Sequence, residues 1–576
     1  MKTTTTTGLH RLPALALTAL TALAAALVPG FASAQTWNGA GGDSNWSTGA
    51  NWVGGIAPAS GAGTTVLFTA PGGAVPSVVD SAFTLNRLWF VPGAFYTLSG
   101  AAISFDGVSP RLIVAAPSTI ANDLAFLVTT TIEAQTDFTL TGQTAGIAGL
   151  TKEGVGRLTL AGVALTWGGA TTVNAGVLQI GNGATGPNFF GSPIVVNGEI
   201  DFAGTVPGIN VANTVSGTGT VTVSGGTMIS GGAPWTHTGP TNVTGGSISA
   251  GFNTPGRLTV TGTGVVQTGD SFFGSLAGTA AASVFSNSTA ITIGSDNTST
   301  TYSGQLAGTG GITKVGTGRL TLTGIPPLWG GPTTVSAGVL QIGDGATGPN
   351  FFGSPIVVNG EIDFAGTVPG INVANTVSGT GTVTVSGGTM IGGGAPWTHT
   401  GPTNVTGGSI SAGFNTPGRL TVTGTGVVQT GDSFFGSLAG TAAASVSSNA
   451  TAITIGSDNT STTFSGQLAG TGGITKVGTG RLTLSGSPLT WGGTTTVSAG
   501  VLQIGNGATG PNFFGSPMIV NGEIDFAGTV PGINVANTVS GTGTVTVSGG
   551  TMIGGGAPWT HTGPTNVTGG SISAGF

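Results

Sequence analysis

The text TKVGTGRLTL at Thr313–Leu322, followed by Trp329 and by TTVSAGVLQIG at Thr333–Gly343, constrains this chain more than any other feature, because it recurs. Nearly the same text stands at Thr151–Leu160 with Trp167 and at Thr475–Leu484 with Trp491. The spacing from Lys152 to Lys314 to Lys476 is 162 residues both times. Dividing by that period gives units at 147–308, 309–470 and 471–576, the last with 106 residues. No insertion or deletion interrupts the register, and the few differences include Asn182 against Asp344, Ser230 against Gly392 and Phe285 against Ser447. A finer repeat lies inside each unit: WGGPTTVSAGVLQIG from Trp329 aligns with WTHTGPTNVTGGSISAG from Trp397 as strand, glycine turn, strand. A subunit that small cannot bury its own apolar face, so its copies must stack.

With 111 glycines, 29 prolines and 5% charged residues among 576, the composition is that of strands and turns. Leu158 with Leu160, Val221 with Val223, and Ile200 with Phe202 share faces at period two, and no window keeps a 3.6-residue apolar period. These features predict an all-β fold, a parallel β-helix (β-solenoid) with an N-terminal cap, threonine lining its outer face. Coils of roughly 20–25 residues give about seven coils per unit, and at ~4.8 Å each the mature chain would be a rod of about 110 Å. The rival, a set of antiparallel sandwiches, would show hairpin turns at regular intervals; Asn182-Gly183 and Asn197-Gly198 are less regular than the glycine punctuation.

Residues 1–34 read as a secretory leader, with Lys2, His10 and Arg11 before an apolar run and Ala32-Ser33-Ala34 for cleavage. The complete absence of cysteine fits a large self-sufficient core or a route that passes the chain unfolded. Residues 35–146 are the expected cap and first coils. Trp37, Trp46 and Trp52 there suit either an aromatic sugar-binding face or rings covering the open end of the stack; the cap is the expectation.

TKVGTGRLTLSG at Thr475–Gly486, followed by LTWGGTTTVSAGVLQIG at Leu489–Gly505, resembles the autotransporter-associated β-strand repeat of autotransporter passengers and related bacterial surface proteins. Ile474, Thr475, Lys476, Gly478, Gly480, Leu482, Thr483, Leu484, Ser485 and Gly486 fit that pattern, with Ile in place of its first Leu. Leu489-Thr490-Trp491 stands where the family has Asn-Thr-Tyr, keeping an aromatic at the corner. The resemblance implies a secreted β-helical passenger exposed on a bacterial surface and associated with the outer membrane where a C-terminal region anchors it. No translocator strands follow the last repeat, and Phe576 aligns with Phe252 and Phe414, both followed by further text, so a truncated product or partial sequence is expected.

Candidate chemistry is sparse. Glu199 with Asp201 lie about 7 Å apart on one strand face, and recur as Glu361 with Asp363 and Glu523 with Asp525. Two carboxylates could serve glycoside cleavage or calcium, but no Lys or Arg lies near in sequence, and a solvated outer face is the expectation. His237, His399 and His561 are read as corner residues with an ordinary hydrogen bond, too far apart to share a metal. Lys152, Lys314 and Lys476 lack a phosphate-loop context and are expected exposed at turns. No catalytic, cofactor or metal residue is assigned. A net charge of −6 without a basic run argues against nucleic acid, and Thr-x-Thr is too scattered for an ice-binding face. The expected function is a structural or adhesive surface protein, not an enzyme, its partner a receptor, a glycan or its own copies, with no small-molecule cofactor. The alternative is a carbohydrate-active β-helix, marked by Asp with Lys or Arg in one cleft.

Overall fold

The computed structural model describes residues 34–573 apart from short stretches at 70–75, 163, 205–207, 231–234, 250, 288–289, 325–327, 367–369, 374, 393–396, 412–413, 450–451, 487–488, 530–531 and 555–556. The predicted leader, except Ala34, and the terminal Phe576 lie outside the described residues. The chain is all-β, a parallel β-solenoid, with one short 3-10 turn at Gly49–Asn51 among the described residues. It divides into two compact units, residues 1–178 and 179–576.

In the first unit, each coil contributes one short strand to each of three parallel sheets, as in Arg87–Phe90, Thr97–Gly100 and Ile103–Phe105. The inward ladder of one sheet reads Val66, Leu88, Leu112, Ile132, Lys152, Val173, each the register partner of the next. Period-two alternation puts every second residue of these strands inside, and the interior stacks like on like. Phe68 lies parallel over Phe90, centroids 4.7 Å apart.

The tryptophans of 35–56 form the expected cap and present no sugar-binding face, since all three are at most 2% exposed. Trp52 meets Trp37 and Trp46 edge to face at 5.1 and 5.5 Å, and Trp46 meets Phe83 at 5.0 Å. Asn45 bridges Val78 in parallel, with Trp46 N donating to Val78 O and Val78 N to Ser44 O. Free groups of an edge strand, otherwise a template for aggregation, are thereby occupied. Buried Asn51 ties the cap together, its Nδ2 reaching Asp43 O and Asn45 O.

In the second unit the repeat text takes the same form twice. Arg319–Leu322 pairs in parallel with Val339–Ile342, and Arg481–Leu484 with Val501–Ile504, which excludes the hairpin sandwich. From Leu340 the ladder passes Ile362, Val383, Thr403, Leu420 and Leu438, crosses from Gly440 to Phe464, and ends through Leu482 at Leu502. That path has eight steps in 162 residues, one more than expected. The extra coil fits because Thr416–Val422 and Ser433–Gly440 run on through a corner without a turn, shortening their coils. The threonine expectation also needs correction: Thr241, Thr333, Thr403 and Thr495 point inward and are fully buried. Their strands, read TTV or TNV, put the first Thr and the Val on the core side.

Stacking this close leaves no room at certain corners. A Cβ on Gly308 would lie 1.8 Å from Ser286 O, and its φ of +138° disfavours L side chains. Gly308→Ala should therefore destabilise by more than about 1 kcal/mol, read as a lowered urea midpoint, whereas an unchanged midpoint would contradict this packing.

Candidate functional site

The strand LTKE at Leu150–Glu153 alternates Leu150 in, Thr151 out, Lys152 in. Lys152 thus occupies a core position between Ile132 and Val173, and it is fully buried. Its Nζ donates to Glu153 O at 2.7 Å, Gly154 O at 2.8 Å and Ala175 O at 3.0 Å. Lys314 meets Val315 O, Gly316 O and Ala337 O at 2.6, 3.0 and 3.4 Å, and Lys476 repeats this with Val477 O, Gly478 O and Ala499 O. Gly154, Gly316 and Gly478 sit at φ between +66° and +77°, a conformation glycine reaches without strain. The expectation of exposed lysines is overturned, because each ammonium has three N–H bonds and each corner offers three carbonyls. Burial pulls the Lys152 pKa from 10.5 down to about 8 against the raising effect of Glu153 and Asp137. Lys314 and Lys476 are lowered for the same reason, opposed by Asp296 and Asp458.

A second cluster lies on the outer face of the next sheet. Asp363 points outward from Glu361–Ala365 yet is only 4% exposed, because neighbours one and two coils away close over it. Arg319 Nη1 reaches Asp363 Oδ2 at 3.2 Å, Gln341 Nε2 reaches the same oxygen at 3.1 Å, and Ser386 donates to Oδ1 at 2.7 Å. Thr384 donates to Glu361 at 2.9 Å. The next copy repeats the core of it, with Arg481 Nη1 on Asp525 Oδ2 at 3.0 Å and Thr546 on Glu523 at 2.8 Å. In the first copy Thr222 donates to Glu199 at 2.9 Å, and Asp201 is again buried. The aspartates are therefore not solvated, and the arginine absent from the local sequence arrives from 44 residues earlier.

The histidines sit at corners. His237, His399 and His561 place Nε2 within 2.6 to 2.7 Å of the carbonyls of Gly219, Gly381 and Gly543, so Nε2 carries the proton. Burial lowers the pKa of His237 and His399, while the hydrogen bond raises it by less. Among the described residues no group of three His, Asp or Glu side chains converges as a metal site would require. The corner tryptophans point inward, with Trp167, Trp329 and Trp491 each donating Nε1 to the hydroxyl four residues on at 2.9 Å.

Residues 150–180, 312–342 and 474–504 match the passenger-associated-transport-repeat family. The chain carries three passenger-associated-transport-repeats. No curated protein and no solved structure matches it. The resemblance seen in TKVGTGRLTLSG is thereby borne out. Each transport-repeat starts at the strand of the caged lysine, passes the corner tryptophan and ends on the strand VLQI. The repeat is thus one lysine corner plus the coil that covers it.

Lys314→Met keeps length and apolarity but leaves buried carbonyls without donors, at about 1–3 kcal/mol. Amide exchange at Val315–Gly318 and Ala337 should accelerate about 5- to 150-fold, and unaltered exchange there would contradict the cage. The pH dependence has a fixed sign. Unfolded Lys152 keeps its proton up to 10.5 while the folded one releases it near 8, so the unfolded state binds more protons between these values. Stability from this group rises with pH across that window, and Lys152→Met should remove that slope.

Proposed function

We propose that the protein is a secreted bacterial cell-surface passenger whose β-solenoid has a structural or adhesive role and catalyses no reaction. The observation that carries this reading is the threefold transport-repeat on a parallel solenoid. In residues 179–576 equivalent surface positions recur every eight coils, or about 38 Å at ~4.8 Å per coil. A partner meeting one patch finds the next without a flexible linker, and repeated weak contacts gain avidity on the order of 10²-fold. The test is adhesion to cells or matrix by full-length chain and by a chain lacking residues 309–470, at equal surface density. The deletion removes one whole period in register, so the shortened chain should keep its far-ultraviolet dichroism per residue and lose most of its avidity. Equal adhesion by both would move the active surface to residues 35–146.

A second reading, a carbohydrate-active β-helix, is favoured by one observation, the pairing of Arg319 with Asp363 beside Glu361. Both aspartate oxygens are engaged by neighbours, which suits a strut better than a proton carrier. Assay of reducing-end or unsaturated-product release from plant and bacterial polysaccharides separates the two. The structural reading expects none; release that is lost in Asp201→Asn, Asp363→Asn, Asp525→Asn combined would establish the enzyme.

A further inference from the structure

The third sheet is interrupted once per period. Its ladder runs from Phe351–Phe352 to Leu489–Trp491, and a new one begins at Phe513–Phe514. On the inside, Trp491 and Phe514 meet edge to face at 5.3 Å and seal the break. On the outside the break is a groove of about 590 Å³ whose walls include Thr471, Leu489, Thr490, Trp491, Phe513 and Gly515. Phe513 is 51% exposed. Its ring lies across Gly515, where a Cβ would come within 2.6 Å of a ring carbon, so this glycine is what lets the ring lie there.

We propose that this groove binds a neutral oligosaccharide, with one pyranose ring stacked on Phe513 and its hydroxyls meeting Thr471 and Thr490. The groove lining holds no charged side chain, so nothing in it would compensate a charged ligand. An exposed aromatic ring beside hydroxyls offers the apolar surface and the hydrogen-bonding groups that the faces and rims of a sugar need. The text PNFFGSP stands at 187–193, 349–355 and 511–517.

This inference gives the adhesive reading a ligand class. It is tested on purified chain in solution, so the two can fail separately: adhesion without saccharide binding removes this site alone, and saccharide binding without adhesion removes the other reading alone. Titration calorimetry, with tryptophan fluorescence in parallel, would use cellohexaose, maltohexaose and mannohexaose as neutral probes. Hexagalacturonate and an uncharged Ser/Thr/Gly peptide are the competing classes. Expected is saturable binding of at least one neutral hexasaccharide, weakened about tenfold or more by Phe189→Ala, Phe351→Ala, Phe513→Ala combined. Phe272→Ala with Phe434→Ala, exposed aromatics outside the groove, should leave it unchanged. Gly515→Ala, which displaces the Phe513 ring without removing it, should weaken it as well. No binding of any neutral probe at millimolar concentration, binding unmoved by the phenylalanine variants, or preference for the peptide or the galacturonate would overturn the proposal.

Discussion

Three main-chain carbonyls converge on a buried point at the corner after each strand that carries Lys152, Lys314 or Lys476, and the transport-repeat is built around what meets them. Where the ladders are continuous each coil satisfies the next, so backbone polarity there is dealt with by stacking alone. At a tight inward corner the carbonyls have no such neighbour, and leaving a buried acceptor unpaired costs about 1–3 kcal/mol. A lysine at the core end of the strand supplies three donors from one side chain. The cost is desolvation of a cation, visible in the lowered pKa, and three charge-assisted hydrogen bonds offset it.

The same need to satisfy buried polar groups explains other features of the period. The corner tryptophan gives its indole N–H to an inward threonine, and in the second unit that threonine meets a serine one coil on, Thr333 with Ser354 and Thr495 with Ser516. Outside, Arg319, Gln341, Asp363 and Ser386 link four coils across one face. These contacts are periodic because the coils are. A side chain that satisfies one corner is repeated wherever the text repeats, which is why so few substitutions separate the copies.

The architecture was legible in the sequence because it depends on alternation and period. Leu158 with Leu160, Ile200 with Phe202 and the tryptophan cap all lie where period two and the glycine punctuation put them. The lysine was misread although its signal was present: in ITK, Ile312 and Lys314 share a face, and Ile312 is a core residue. Charge was allowed to outweigh alternation, and the carbonyls that reverse that judgement exist only once the corner is folded. Arg319 with Asp363 was not legible, since they stand 44 residues apart and meet only when coil length is known. The groove beside Trp491 was also hidden, because it arises from a break in one sheet that no local pattern marks. The coil count fell one short because strands that pass through a corner use fewer residues than a turn would.

The repeated copies each rest on a lysine corner. The chain has four lysines, of which Lys2 lies in the predicted leader and the other three are the caged ones, so selective labelling reports the cages with few signals. The deciding measurement is the side-chain ¹⁵N resonance of lysine in the folded protein as pH is raised. Three ammonium signals protected from solvent exchange near neutral pH are predicted, all titrating below 10.5 and Lys152 near 8. Rapidly exchanging ammonium groups with ordinary midpoints near 10.5 would put the lysines in solvent and contradict the cage on which the corners depend.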